Sequence, residues 1–198
     1  MKGSLLVLAV FVLGIFAGTQ PGLPMFLRRP DLALYALYLL LFLVGVGMGA
    51  NQQAWKMLRR LNLRILLVPL GVIVGTLVGV ALFSLLLPAL SLRQALAVGA
   101  GFGYYSLSSI LITQLHSEAL GVVALLANMM REVGTLLLTP WLVGRLGKVA
   151  PVAAGGATTM DTTLPVIVRY AGSDTAIVAF FSGVILTLLV PLLVTLLL

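Results

Sequence analysis

The sequence predicts an all-α integral membrane protein, and three observations carry that prediction. Of its 198 residues, 61% are hydrophobic and only 9% charged, with a mean hydropathy of +1.20; soluble domains carry roughly 25% charge. The apolar runs are long and lack the two-residue alternation of barrel strands, so they read as helices. Arg131, Glu132 and Asp161 nonetheless lie inside such runs. A charge at a bilayer centre costs about 2.5–3.5 kcal/mol on insertion scales. Three of them have to be paired or used.

Composition also narrows the function. At about 20 residues per span, the chain accommodates at most seven or eight passes. Residues 1–198 therefore read as a single transmembrane transporter domain. The net charge of +7 sits mainly in short loops. It reads as a topology signal, because basic loops stay cytoplasmic, and not as a nucleic-acid surface. The absence of cysteine excludes disulfide and thiol chemistry. One histidine, His116, beside Glu118 is too few ligands for a metal. No catalytic constellation and no cofactor motif is present. The GAGFG of 99–103 lacks the strand and spacing of a dinucleotide fingerprint.

Seven apolar segments follow in order. The first, about 3–19, imitates a signal peptide but is long enough to span, with Gly14 and Gly18 as a small-residue packing face. A loop with Pro21, Pro24, Arg28, Arg29 and Pro30 precedes the second, about 32–50. A basic stretch, 51–64, carries Lys56, Arg59, Arg60 and Arg64. The third segment, about 65–87, has Gly71, Gly75 and Gly79 on one face, expected to serve internal helix packing rather than a dimer.

The fourth segment, about 92–113, contains Gly99, Gly101 and Gly103. Glycine costs about 1 kcal/mol per residue in a helix interior, so three in close succession predict a break. The fifth, about 119–143, holds Asn128, Arg131 and Glu132. The sixth, about 149–168, places Gly155, Gly156 and Pro165 around Asp161 and is also expected to be broken. The seventh covers about 174–198. Irregular backbone at membrane depth needs protein or a water-filled cavity around it. In secondary transporters such breaks form the midplane site, often in paired segments of an inverted repeat.

Charge offers a topological test. Both the 51–64 stretch and the loop with Arg145 and Lys148 favour the cytoplasm. Three full crossings between them would separate them. A fourth segment that re-enters from the outside, with the sixth as its inverted counterpart, keeps them together. Either arrangement puts the N-terminus inside and the C-terminus outside.

Three polar stripes mark the candidate site. Asn128, Arg131, Glu132 and Thr135 share one helical face. Thr158, Asp161, Thr162 and Pro165 share another, with Thr159 and Thr163 alongside. Tyr105, Ser108 and Ser109 form a third, next to Tyr104 and Ser106. Asp161, beside a glycine break and among hydroxyls, suits a cation or ammonium and exchange of that cation for a proton. Alternatives stand beside each reading. Arg131 pairs internally with Glu132 or Asp161; the hydroxyls bond their own backbone; Tyr104 and Tyr105 are interfacial anchors or a cation platform.

At these residues the chain resembles the bacterial lysine exporter (LysO) family. The motifs are GAGFGYYSLSS at 99–109, NMMRE at 128–132, GGATTMDTTLPV at 155–166 and the run SGVILTLLVPLL. The resemblance covers essentially the whole chain. It implies export of L-lysine and its analogues across a prokaryotic cytoplasmic (inner) membrane, driven by proton or cation exchange. By position, Asp161 matches the acid this family needs for transport, and Asn128, Arg131 and Glu132 match its NxxRE element. Met129 stands where members often carry an acid. Full-size members also have a further N-terminal membrane portion with a second functional acid. Either a separate small membrane protein or a homodimer is then expected to complete the assembly. A sodium/proton or organic-anion transporter, and a non-transporting subunit that scaffolds a partner, are the competing readings.

Overall fold

A computed structural model of the chain describes residues 63–86 and 89–198, with isolated positions before them. The chain divides into two compact units, Met1–Phe42 and Leu43–Leu198, and the architecture below belongs to the second. The first two expected segments and most of the basic stretch lie outside the described residues.

Three helices among the described residues are long and apolar enough to cross a membrane. They are α1 (Leu67–Ser84), α4 (Glu118–Leu146) and α7 (Thr175–Leu197). A 3-10 turn, Leu63–Leu66, leads into α1. Between α1 and α4 lie two short helices, α2 (Leu92–Gly99) and α3 (Tyr105–Leu115). Between α4 and α7 lie α5 (Ala150–Gly155), a 3-10 turn (Gly156–Met160) and α6 (Leu164–Ala171). Both expected breaks are present, at 100–104 and 156–163.

Each broken segment folds back on itself. Gln94 Nε2 and His116 Nε2 are hydrogen-bonded at 3.0 Å, although 22 residues separate them. A continuous helix would hold them about 33 Å apart at 1.5 Å per residue. The base of this first hairpin is tied by local caps. Ser91 and Gln94 form a reciprocal capping box at the start of α2, and Ser117 Oγ accepts from the Leu120 N–H at the start of α4. The second hairpin closes through apolar packing. Val152 of α5 shares one buried cluster with Ile167 and Ala171 of α6 and Ala179 of α7, against Val143 and Val68.

The hairpins enter from opposite ends of α4, the first at its Glu118 end and the second at its Leu146 end. This resolves the charge test. Counting crossings from α1, the starts of α1, α5 and α7 share one side, and with them Arg64, Arg145, Lys148 and Arg169. Arg93 and His116 lie on the other. The re-entrant arrangement thus keeps the basic positions together, as an inverted pair of hairpins requires.

The core lies where α7 and α4 press on the breaks. A Cβ on Gly183 would come within 2.6 Å of the Met160 nitrogen and 2.8 Å of the Ala157 oxygen, so α7 seats directly on the second break. Thr159 Oγ1 reinforces that contact by donating to the Ala179 carbonyl at 2.8 Å. Gly121 plays the same part between α3 and α4: a Cβ there would collide with Thr113 Oγ1 and come within 3.0 Å of the Ser109 oxygen. Gly121→Val is therefore expected to lower the melting temperature in detergent by several degrees, corresponding to about 1–3 kcal/mol of overpacking. Unchanged melting would contradict this seating of α3.

The partner expected for the glycine face of α1 is not found among the described residues, and the first two segments lie outside them. Nothing among the described residues lies within 4 Å of a Cβ built on Gly71, Gly75 or Gly79. Pro69 and Val72 turn inward and are buried, and Leu70, Val74 and Val78 are exposed on the opposite side. At 100° per residue Gly79 stands within about 20° of Val72, and it lines the cavity between α1, α2 and α4.

Candidate functional site at the meeting of two hairpin tips

The two tips touch halfway along α4. The Ala157 N–H, in the second tip, donates to the Phe102 carbonyl in the first at 2.8 Å. The approach is close because glycines line it. Gly103, at φ +96°, would place a Cβ 2.9 Å from the Gly155 oxygen, and Gly156, at φ +64°, would drive one into the Phe102 oxygen. Phe102, fully buried, itself holds a left-handed φ of 46°, a conformation that costs a non-glycine residue roughly 1–3 kcal/mol.

Asn128 is buried and binds the first tip. Its Oδ1 accepts from the Gly103 N–H at 2.7 Å. Its Nδ2 donates to the Val98 carbonyl at 3.0 Å and to Ala124 within α4 at 2.9 Å. Arg131, one turn on, binds the second hairpin. Its Nε donates to the Ala154 carbonyl at 2.7 Å and its Nη2 to Ala153 at 3.0 Å. Nη1 reaches Thr76 Oγ1 of α1 at 3.2 Å. The expected ion pairs are corrected by this arrangement. Among the described residues Arg131 meets neither Glu132 nor Asp161, because half-helix carbonyls take up its donors. Glu132, one position on and turned about 100° around the helix, is half-buried and makes no hydrogen bond among the described residues.

Most of the expected hydroxyl ligands are occupied by backbone. Ser108 Oγ donates to Tyr105 O and Ser109 Oγ to Ser106 O. Thr158 Oγ1 donates to Gly155 O, with Thr163 Oγ1 at 3.4 Å. Thr159 Oγ1 serves Gly156 O as well as Ala179 O. The two serines back-bond within α3, and the two threonines bond carbonyls at the second break. Tyr104 and Tyr105 are half-buried at the first tip, just before and at the start of α3.

Asp161 departs from the buried position the sequence suggested. It lies exposed where the 3-10 turn ends, and its Oδ1 accepts from the Thr162 N–H at 2.6 Å. That local bond turns the carboxylate toward the open side of the break. Tyr104 stands on the facing tip, two residues after Phe102, whose carbonyl the second tip bonds. Asp161, Thr162 and Ser106 are exposed at the two tips. Ser108, Thr158 and Thr159 are buried behind them.

Sequence reading missed Thr76. It is the lone hydroxyl in the middle of α1, which was the available signal. A cavity of about 450 Å³ between α1, α2 and α4 is lined by Val80, Phe83, Val98 and Val123, with Thr76, Asn128 and Arg131 as polar lining.

Among the described residues, three helices long and apolar enough to span, with two opposed hairpins meeting at their tips, define a helical membrane protein. The chain belongs to the lysine exporter LysO family, whose model matches residues 8–198. It is 38% identical to the lysine exporter LysO of Escherichia coli over 96% of its own length, and it spans 62% of that relative. It is 33% identical to a putative lysine exporter of Haemophilus influenzae over 81% of this chain and 80% of that protein. No solved structure is a significant match.

Proposed function

We propose that the chain acts as a secondary transporter that exports L-lysine across the prokaryotic inner membrane in exchange for a proton or cation. The observation that carries this reading is the exposed carboxylate of Asp161, close in sequence to the point where two opposed hairpin tips meet. A carboxylate there suits an ammonium group, and the unfilled N-terminus of α3 suits a carboxylate. Membership of the lysine exporter family and the names of the two relatives support the substrate. An organic-anion substrate finds less support, because Arg131 already serves backbone carbonyls.

Orientation follows from the basic side. With Arg64, Arg145, Lys148 and Arg169 in the cytoplasm, the first hairpin enters from outside, the second from inside, and α7 ends outside.

Cells lacking their own lysine exporter test the proposal. Expression of this chain is expected to restore efflux of preloaded lysine and resistance to toxic lysine analogues. If efflux appears only on co-expression with a small membrane protein, a partner completes the assembly. Efflux from the chain alone favours a homodimer. A well-inserted chain that moves no lysine under either condition, but moves sodium or an organic anion in proteoliposomes, overturns the substrate.

A further inference from the structure

We infer that Asn128 and Arg131 are positioning residues, two jaws of one clamp on α4 that hold the hairpin tips together, and that neither is a ligand of the transported solute. The inference rests on the transport reading only for what the clamp serves; the clamp itself is argued from geometry.

The two residues stand three apart, on one face of α4. Each serves the same kind of group on a different hairpin. Asn128 donates to Val98 O at the C-terminal end of α2, and Arg131 donates to Ala153 O and Ala154 O at the C-terminal end of α5. A helix end leaves its last carbonyls without intrahelical partners. At membrane depth no water replaces those partners unless a cavity admits it. Arg131 supplies donors to the α5 end, and Asn128 adds a second donor to Val98 O, which also accepts from the Gly101 N–H at 3.3 Å. A cation at the second helix end is also favoured by the helix dipole.

The capacities of the two side chains point the same way. Both donors of the Asn128 amide are taken, and its Oδ1 already accepts from the Gly103 N–H. It has no donor left for a carboxylate, and a solute ammonium there would compete with a buried backbone bond. Arg131 spends three of its five N–H donors, two on α5 carbonyls and one on the Thr76 hydroxyl. A guanidinium does this through its planar fork, and a lysine ammonium cannot reproduce that geometry. A lysine would, however, keep the charge that a substrate carboxylate needs. Since Ala157 N–H bonds to Phe102 O, the jaws hold parts that already touch, and the clamp fixes where Asp161 and Tyr104 stand relative to one another.

Hydrogen–deuterium exchange of the full chain in detergent, without lysine, tests this. In Asn128→Ser, exchange at residues 99–104 is expected to rise about tenfold or more while 155–160 stays protected. In Arg131→Lys the pattern is expected to reverse. Wild-type protection in both variants, or equal loosening of both hairpins in each, overturns the clamp. Gly103→Ala keeps both jaws but pushes the tips apart, and is expected to loosen both hairpins; it serves if a clamp variant cannot be extracted, and retained protection there also overturns the inference. Lysine binding, read separately, is expected to weaken in step with lost protection. A variant that loses lysine affinity with its tips fully protected identifies a ligand. Because protection is read without substrate, failure of the export assay leaves this result standing.

Discussion

Asp161→Asn is expected to remove nearly all lysine efflux while leaving the protein folded. Asp161 is exposed at the end of the second tip, and its one hydrogen bond is to the neighbouring Thr162 N–H. An asparagine oxygen accepts that bond equally well, so the turn keeps its shape. What disappears is the negative charge. A hydrogen bond to a charged group contributes about 1.5–3 kcal/mol, and each 1.4 kcal/mol is a factor of ten. A loss of at least about tenfold in transport follows if the carboxylate holds an ammonium. If it also carries the exchanged proton, turnover stops. Asp161→Glu separates these contributions: it keeps the charge and displaces it by one methylene, so partial activity is expected. The measurement is radiolabelled lysine efflux from proteoliposomes, normalised to correctly inserted protein. Full activity in Asp161→Asn would move the site elsewhere.

Gly156→Val is expected to be at least as damaging, for a different reason. Gly156 lies at φ +64° and ψ −124°, a region closed to side-chain-bearing residues. A Cβ there would strike the Phe102 carbonyl and sit 3.0 Å from Arg131 Nη2. Both objects are fixed, one as backbone and the other by its bonds to α5. The backbone strain alone costs roughly 1–3 kcal/mol, and the collision adds to it. The expected result is loss of the Ala157–Phe102 contact, seen as a large drop in folded, monodisperse protein and no transport. Gly71→Val supplies the contrast, since nothing among the described residues is near its Cβ. Its melting temperature is expected to match the parent. Equal tolerance at both positions would contradict the tip-to-tip contact.

The sequence by itself determined the membrane class and the places where helices break. Both follow from local physical chemistry: long apolar runs need lipid, and clustered glycines at 99–103 and 155–156 interrupt a helix wherever it lies. It also singled out the residues of the centre, because a polar group inside an apolar run is visible without a fold. What those residues do was decided only by tertiary structure. Periodicity gave Asn128, Arg131, Glu132 and Thr135 a common face, but it is silent on what stands opposite. The folded chain puts half-helix carbonyls opposite Asn128 and Arg131. Asp161 falls within a predicted membrane segment, yet the 3-10 turn before it leaves it exposed. Burial and partnership depend on elements far apart in the chain. Hairpin tips 55 residues apart meet through a single backbone bond, Ala157 N–H to Phe102 O, and no local pattern encodes that meeting.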